Sequence, residues 1–96
     1  MKIDFTKNGG TLSIDIDGRL DTATAPELES FLLENLGDAN ALTINCEKLV
    51  YVSSAGLRVL LGAQKKMKGS MKLTGVCELV MEVFEMTGFA DILVIE

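Results

Sequence analysis

Alternation of apolar and polar residues at the start of the chain predicts two β-strands. Ile3 and Phe5 alternate with polar neighbours, and the apolar residues at positions 12, 14 and 16 alternate with serine and aspartate. Between these segments, residues 7–10 (Lys-Asn-Gly-Gly) tolerate positive φ and favour a tight hairpin turn. Gly18 is expected to close the second strand.

Helical spacing of apolar residues predicts three helices. The first is expected to begin at a T-x-x-E capping box at Thr24, with Pro26 in its first turn, and to end at Gly37. The second is expected to begin at Ser53-Ser54 and to end at Gly69, and the third to span residues 78–87. The residues of the third helix expected to face the core are Leu79, Val83 and Met86.

Compact apolar runs predict the remaining strands. Residues 41–46 suit an interior strand, which we expect to be followed by a loop through Glu47 and Lys48 and by the apolar segment 49–52. Residues 71–76 predict a further strand, and residues 92–95 form either a last short strand or an apolar tail docked on the core. This order predicts one α/β domain over residues 1–96, with a mixed sheet of four to five strands and helices mainly on one face.

Composition and charge narrow the classes of partner. Of the residues, 48% are hydrophobic and 24% charged, as in ordinary globular domains, and the net charge of −5 disfavours nucleic acid and anionic lipid. No apolar run approaches the roughly 20 residues of a membrane span, and the first residues lack a signal-peptide core. We therefore expect a cytoplasmic protein without a membrane partner. Cys46 and Cys77 form no C-x-x-C pair, so both are expected to be buried as small apolar residues.

Catalytic and metal-binding chemistry is poorly represented. The chain has no histidine, which removes the usual general base and metal ligand. A lysine base for Ser54 is too distant, because Lys65 lies about 16 Å further along a helix. No phosphate-binding glycine loop is present, and the acidic Asp15, Asp17 and Asp21 suit a solvated strand better than a Mg²⁺ site. The sequence thus predicts no enzyme, no cofactor and no metal site.

Three short motifs carry a resemblance to a known family. Ser53-Ser54-Ala55-Gly56-Leu57 resembles the D-S-[S/T/A]-G-[L/I] element of STAS domains of the anti-sigma-factor antagonist type. Gly18-Arg19-Leu20-Asp21 is similar to the family's G-x-[L/I]-D element, and residues 84–89 are similar to its F-x-x-[S/T]-G element. The resemblance extends from the hairpin through the third helix and implies a STAS-like fold.

The resemblance also implies a regulatory site. Ser54 matches the serine that an anti-sigma-factor kinase phosphorylates, whereas Ser53 replaces the usual aspartate and is an alternative acceptor. Each of these residues also has a purely structural alternative. Either serine could serve only as the helix N-cap, and Gly56 could serve only helix–strand packing. Arg58 could be a solvated helix residue, and Asp21 could be only a turn residue. The residues that the resemblance places on a partner-binding surface are Asp21, Ser53, Ser54, Ala55, Gly56 and Arg58.

The function implied by the resemblance is partner switching. The unmodified protein would bind an anti-sigma-factor serine kinase and free a sigma factor, phosphorylation would abolish that binding, and a serine phosphatase would reset the switch. The alternative is a STAS interaction module in another signalling pathway, without phosphorylation. In either case we expect a monomer, because one sheet–helix core can bury the predicted apolar faces.

Overall fold

A hairpin followed by two helical crossovers forms the sheet of this protein. The computed structural model describes residues 1–96, and its sheet order is β1-β2-β3-β4. The strands are β1 (Lys2–Asn8), β2 (Thr11–Leu20), β3 (Ala41–Val52) and β4 (Met71–Thr74). The helices are α1 (Ala25–Asn35), α2 (Ser54–Lys66) and α3 (Glu78–Thr87), and a short 3-10 turn follows at Phe89–Asp91. None of the helices combines the length and the apolar character that a membrane-spanning helix requires.

The pairing of the strands confirms the predicted mixed sheet, with four strands. β1 is antiparallel to β2, whereas β2 with β3 and β3 with β4 are parallel pairs connected through α1 and α2. One face of the sheet packs under the helices, and alternate residues on the other face are mostly polar and are half-buried or exposed. The buried strand residues on the helix-covered face include Leu12, Ile14, Ile16, Leu42, Ile44, Met71 and Leu73.

Three predicted strand boundaries were wrong. Residues 41–52 form one continuous strand, because Glu47 and Lys48 are accommodated as exposed residues at a register shift rather than as a loop. β2 continues past Gly18, whose φ of +115° lies beside a second register shift. β4 ends at Thr74, because Gly75 adopts a φ of +67° and turns the chain.

The closing segment combines both of the predicted alternatives. Ile95 forms an isolated parallel bridge with Leu73, and the backbone N–H of Leu73 donates to the Val94 carbonyl oxygen at 2.9 Å. Leu93 is buried in the core. This segment therefore docks on the core and extends the sheet edge by a single bridge.

The predicted inward face of α3 was also wrong. Val80 and Phe84 are buried, whereas Leu79 is 59% exposed and Met86 is 86% exposed. At about 100° per residue, the row of Leu79 and Met86 lies about 130° around the helix from the row of Val80 and Phe84, with the half-buried Val83 between them. Periodicity therefore suited either row, and packing of the phenylalanine ring determines which one faces the core.

Candidate partner-binding site

Parallel pairing of β2 and β3 brings two turns that are distant in sequence to the same sheet edge. Arg19 pairs with Tyr51 and Leu20 pairs with Val52, so the chain leaves both strands side by side. The backbone N–H of Ser53 then donates to the Leu20 carbonyl oxygen at 2.9 Å. The carboxyl ends of parallel strands are a common location of binding sites in α/β folds. The candidate site is the surface formed by the β2–α1 and β3–α2 turns.

The two serines of the β3–α2 turn have different environments. Ser53 is the half-buried N-cap of α2, and its Oγ accepts a long hydrogen bond of 3.4 Å from the Gly56 backbone N–H. Ser54 is the first helical residue, is exposed, and takes no part in this cap. The first turn of α2 contains no acidic residue. An anion on Ser54 would therefore lie near the positive end of the helix dipole without an acidic neighbour in that turn.

Gly56 allows α2 to approach β2 closely. A Cβ atom at this position would lie 2.7 Å from Leu20 Cγ and 2.8 Å from the Leu20 carbonyl oxygen, both shorter than a normal contact. Gly56 is buried and Ala55 is half-buried against the core. Packing is thus a sufficient reason for glycine at position 56, and it fixes the spacing between the two turns.

The β2–α1 turn is held by Asp21 and Thr24. Asp21 Oδ1 accepts from the backbone N–H groups of Ala23 at 3.0 Å and Thr24 at 3.1 Å. Thr24 Oγ1 accepts from the Asp21 N–H at 2.8 Å and donates to the Arg19 carbonyl oxygen at 2.7 Å. The Thr24 hydroxyl therefore does not cap α1, and the predicted capping box was wrong. The Thr24 backbone N–H is the main cause that lowers the pKa of Asp21 below 3.8.

Arg19 and Tyr51 are two residues of this surface that motif reasoning did not single out. The Arg19 guanidinium carbon lies 4.2 Å from the centre of the Tyr51 ring, a cation–π contact, and its Nε lies 3.7 Å from Asp21 Oδ2. Arg19 already lies in the G-x-[L/I]-D element, which was the available signal. Its partner could not be inferred, because the register shift between Gly18 and Arg19 places Tyr51 rather than Val50 opposite Arg19.

The remaining predicted site residue, Arg58, is exposed on α2 one turn after Ser54. The structure therefore places five of the six predicted residues in or immediately beneath two adjoining turns, and Arg58 one helical turn further along α2. Asp15 and Asp17, by contrast, lie on the open face of the sheet and form no metal-binding group with Asp21. Cys46 is buried in β3, and its burial raises the pKa of its thiol to about 12. Cys77 is only half-buried, so the prediction that both cysteines are buried was wrong for Cys77.

The family model of the STAS domain matches residues 2–96. The chain belongs to the STAS domain family. It is 31% identical over 96 residues to the anti-sigma-B factor antagonist of Bacillus subtilis, covering 97% of this chain and 88% of that protein.

Solved structures of similar fold include SpoIIAA in its unphosphorylated and phosphorylated forms. The anti-sigma factor antagonist SpoIIAA in its unphosphorylated form has a TM-score of 0.82 at 19% identity, covering 99% of this chain and 88% of that one. The phosphorylated Bacillus SpoIIAA has a TM-score of 0.74 at 18% identity, covering 99% and 91%. These likenesses confirm the STAS fold.

Proposed function

We propose that this STAS domain is a non-enzymatic anti-sigma-factor antagonist that is switched by phosphorylation of Ser54. In the unmodified state it binds an anti-sigma-factor kinase, and in the phosphorylated state it does not. The observation that carries the proposal is the exposed Ser54 hydroxyl at the start of α2, beside the turn that contains Asp21. The similarity to the anti-sigma-B factor antagonist of Bacillus subtilis supports the choice of an anti-sigma factor as the partner.

Ser54 is a better acceptor than Ser53 on geometric grounds. The Ser53 oxygen is half-buried and engaged with the Gly56 N–H, whereas Ser54 is exposed and outside that hydrogen bond. A kinase must bring the hydroxyl to its bound nucleotide, so an accessible hydroxyl is favoured. Transfer forms a bond between Ser54 Oγ and the γ-phosphorus of ATP, with release of ADP and of the hydroxyl proton.

The fold should tolerate a phosphate on Ser54. The group adds about −1.5 to −2 charges at pH 7. At a helix N-terminus, such charge is typically stabilising by about 0.3–1 kcal/mol. Phosphorylated SpoIIAA, which resembles this chain in fold, provides an example of a modified domain that remains folded. Loss of binding would therefore arise at the interface rather than from unfolding.

At an interface the same phosphate is unfavourable. It must shed its water, and it meets like charge if it faces the phosphates of the kinase's nucleotide. Each 1.4 kcal/mol of lost affinity corresponds to about a factor of ten. A penalty of about 3 kcal/mol would thus weaken binding by about a hundredfold or more. A serine phosphatase would restore the binding state.

The test uses the anti-sigma-factor kinase encoded in the same genome, with ATP, on the unchanged protein and on Ser54→Ala, Ser54→Asp and Ser53→Ala variants. Intact mass should show one phosphate on the unchanged protein and on Ser53→Ala, and none on Ser54→Ala. Ser54→Ala should bind the kinase throughout, and Ser54→Asp should bind weakly. Phosphate on Ser53, or equal affinity of the phosphorylated protein, would contradict the proposal. Binding without any phosphorylation would favour the unmodified interaction module.

A further inference from the structure

A groove between α1 and α2 begins near the candidate site and extends away from it. Its volume is about 180 Å³, and its lining includes the buried Leu32 and Leu36 and the 66% exposed Leu33. This is smaller than the roughly 300 Å³ of the smallest sites for drug-sized ligands. The groove therefore suits one apolar side chain better than a small-molecule ligand.

Gly62 keeps this groove open. It lies inside α2, is exposed, and would have no atom within 4 Å of an added Cβ. Glycine is the least favourable residue in a helix interior after proline, and no positive φ or close approach requires it here. The absence of a side chain at Gly62 therefore leaves space in the groove above α2. Gly56 on the same helix differs, because it allows close packing against Leu20.

Charge around the groove indicates the character of its occupant. Arg58 and Lys66 line it from α2, and Glu29 is the single acidic residue in the lining. The lining is thus positive on a protein whose net charge is −5. Arg58 also lies one helical turn from Ser54, so the groove is continuous with the candidate site.

We propose that this groove receives one apolar side chain of the anti-sigma-factor kinase, from a segment whose carboxylates face Arg58 and Lys66. The proposal rests on the function proposed above and extends its interface along α2. An apolar anchor in a pocket surrounded by polar contacts is the usual form of an interface hot spot. The exposed Leu33 would be covered in the complex.

The experiment measures affinity and association rate of the same kinase for matched variants. Leu33→Ala removes an exposed leucine that lines the groove, and Leu79→Ala removes one of similar exposure on α3 that does not. Leu33→Ala should weaken binding by roughly tenfold or more. Leu79→Ala should change it by no more than roughly twofold. Melting temperatures serve as the folding control.

Two further variants test the space and the charge. Gly62→Leu should fill the groove and weaken binding at least as much as Leu33→Ala. Lys66→Ala should slow association at low salt more than Lys65→Ala, because Lys65 does not line the groove.

The contradicting outcomes separate this inference from the proposed function. If the Leu33, Leu79 and Gly62 variants all bound the kinase as tightly as the unchanged protein does, the proposed role of the groove would be refuted. The proposed function would remain intact. Absence of binding by the unchanged protein would contradict both. A dimer that Leu33→Ala dissociates would show that a second copy of this chain, rather than the kinase, occupies the groove.

Discussion

Replacement of Gly56 by alanine tests the contact that sets the spacing of the two site turns. The added methyl group would lie 2.8 Å from the Leu20 carbonyl oxygen, a backbone atom that also accepts from the Ser53 N–H. Relief of this contact requires a shift of α2 away from β2. Such a shift would lengthen the hydrogen bond that joins the β3–α2 turn to the end of β2.

The expected change in the free energy of unfolding for Gly56→Ala results from two opposing effects. Overpacking in a close contact costs about 1–3 kcal/mol, and the upper end applies because the backbone oxygen cannot move independently. Alanine is better than glycine in a helix by about 0.5–1 kcal/mol. The net expectation for Gly56→Ala is a loss of about 2 kcal/mol in the free energy of unfolding, or about 8–16 °C in Tm for a domain of this size.

Gly62→Ala is the matched control for helix propensity. Both glycines lie in α2, but an added Cβ at position 62 meets nothing within 4 Å. This variant should gain about 0.5–1 kcal/mol. Urea unfolding followed by circular dichroism gives both free energies, and they should differ by about 3 kcal/mol. If Gly56→Ala were as stable as Gly62→Ala, the close approach of α2 to β2 would be refuted.

Two further predictions concern α3 and the β2–α1 turn. Phe84→Ala should cost about 3–5 kcal/mol of unfolding free energy, whereas Met86→Ala should stay within about 0.5 kcal/mol, and the reverse order in urea unfolding would contradict the observed face of α3. The lowered pKa of Asp21 means that its contribution to stability is present above its unfolded value of 3.8 and is lost as pH falls through the lower native pKa. Asp21→Asn should therefore show a shallower decline of Tm over that acidic window, and an unchanged decline would argue against the Asx turn.

Most elements could be predicted because their signals are local. Alternation at Ile3 and Phe5, and the glycines of the first turn, are sufficient for the hairpin that the structure contains. The continuity of β3 could not be predicted, because Glu47 and Lys48 have the polarity of loop residues. They remain in the strand since the register shift leaves both exposed.

Juxtaposition of the two site motifs was a prediction of the family resemblance, and the structure supplies its physical cause. Asp21 and Ser53 are 32 positions apart, yet the parallel pair formed by β2 and β3 ends at both. The Arg19–Tyr51 contact depended on side-chain register, which shifts twice along this pair. The register between β2 and β3 could not be predicted from local sequence patterns, because it depends on pairing between residues that are distant in sequence.

Serine at position 53 separates the structural and the electrostatic roles of the residue that precedes the proposed acceptor. Serine and aspartate are both among the best N-cap residues, because the oxygen of either accepts from a backbone N–H in the first turn. Ser53 retains that hydrogen bond through the Gly56 N–H, so replacement of the family's usual aspartate preserves the start of α2. What it removes is one negative charge beside Ser54. A phosphate on Ser54 would therefore have an uncharged rather than a negatively charged neighbour at position 53. Its negative charge would be the dominant charge at the start of α2, where a partner binds.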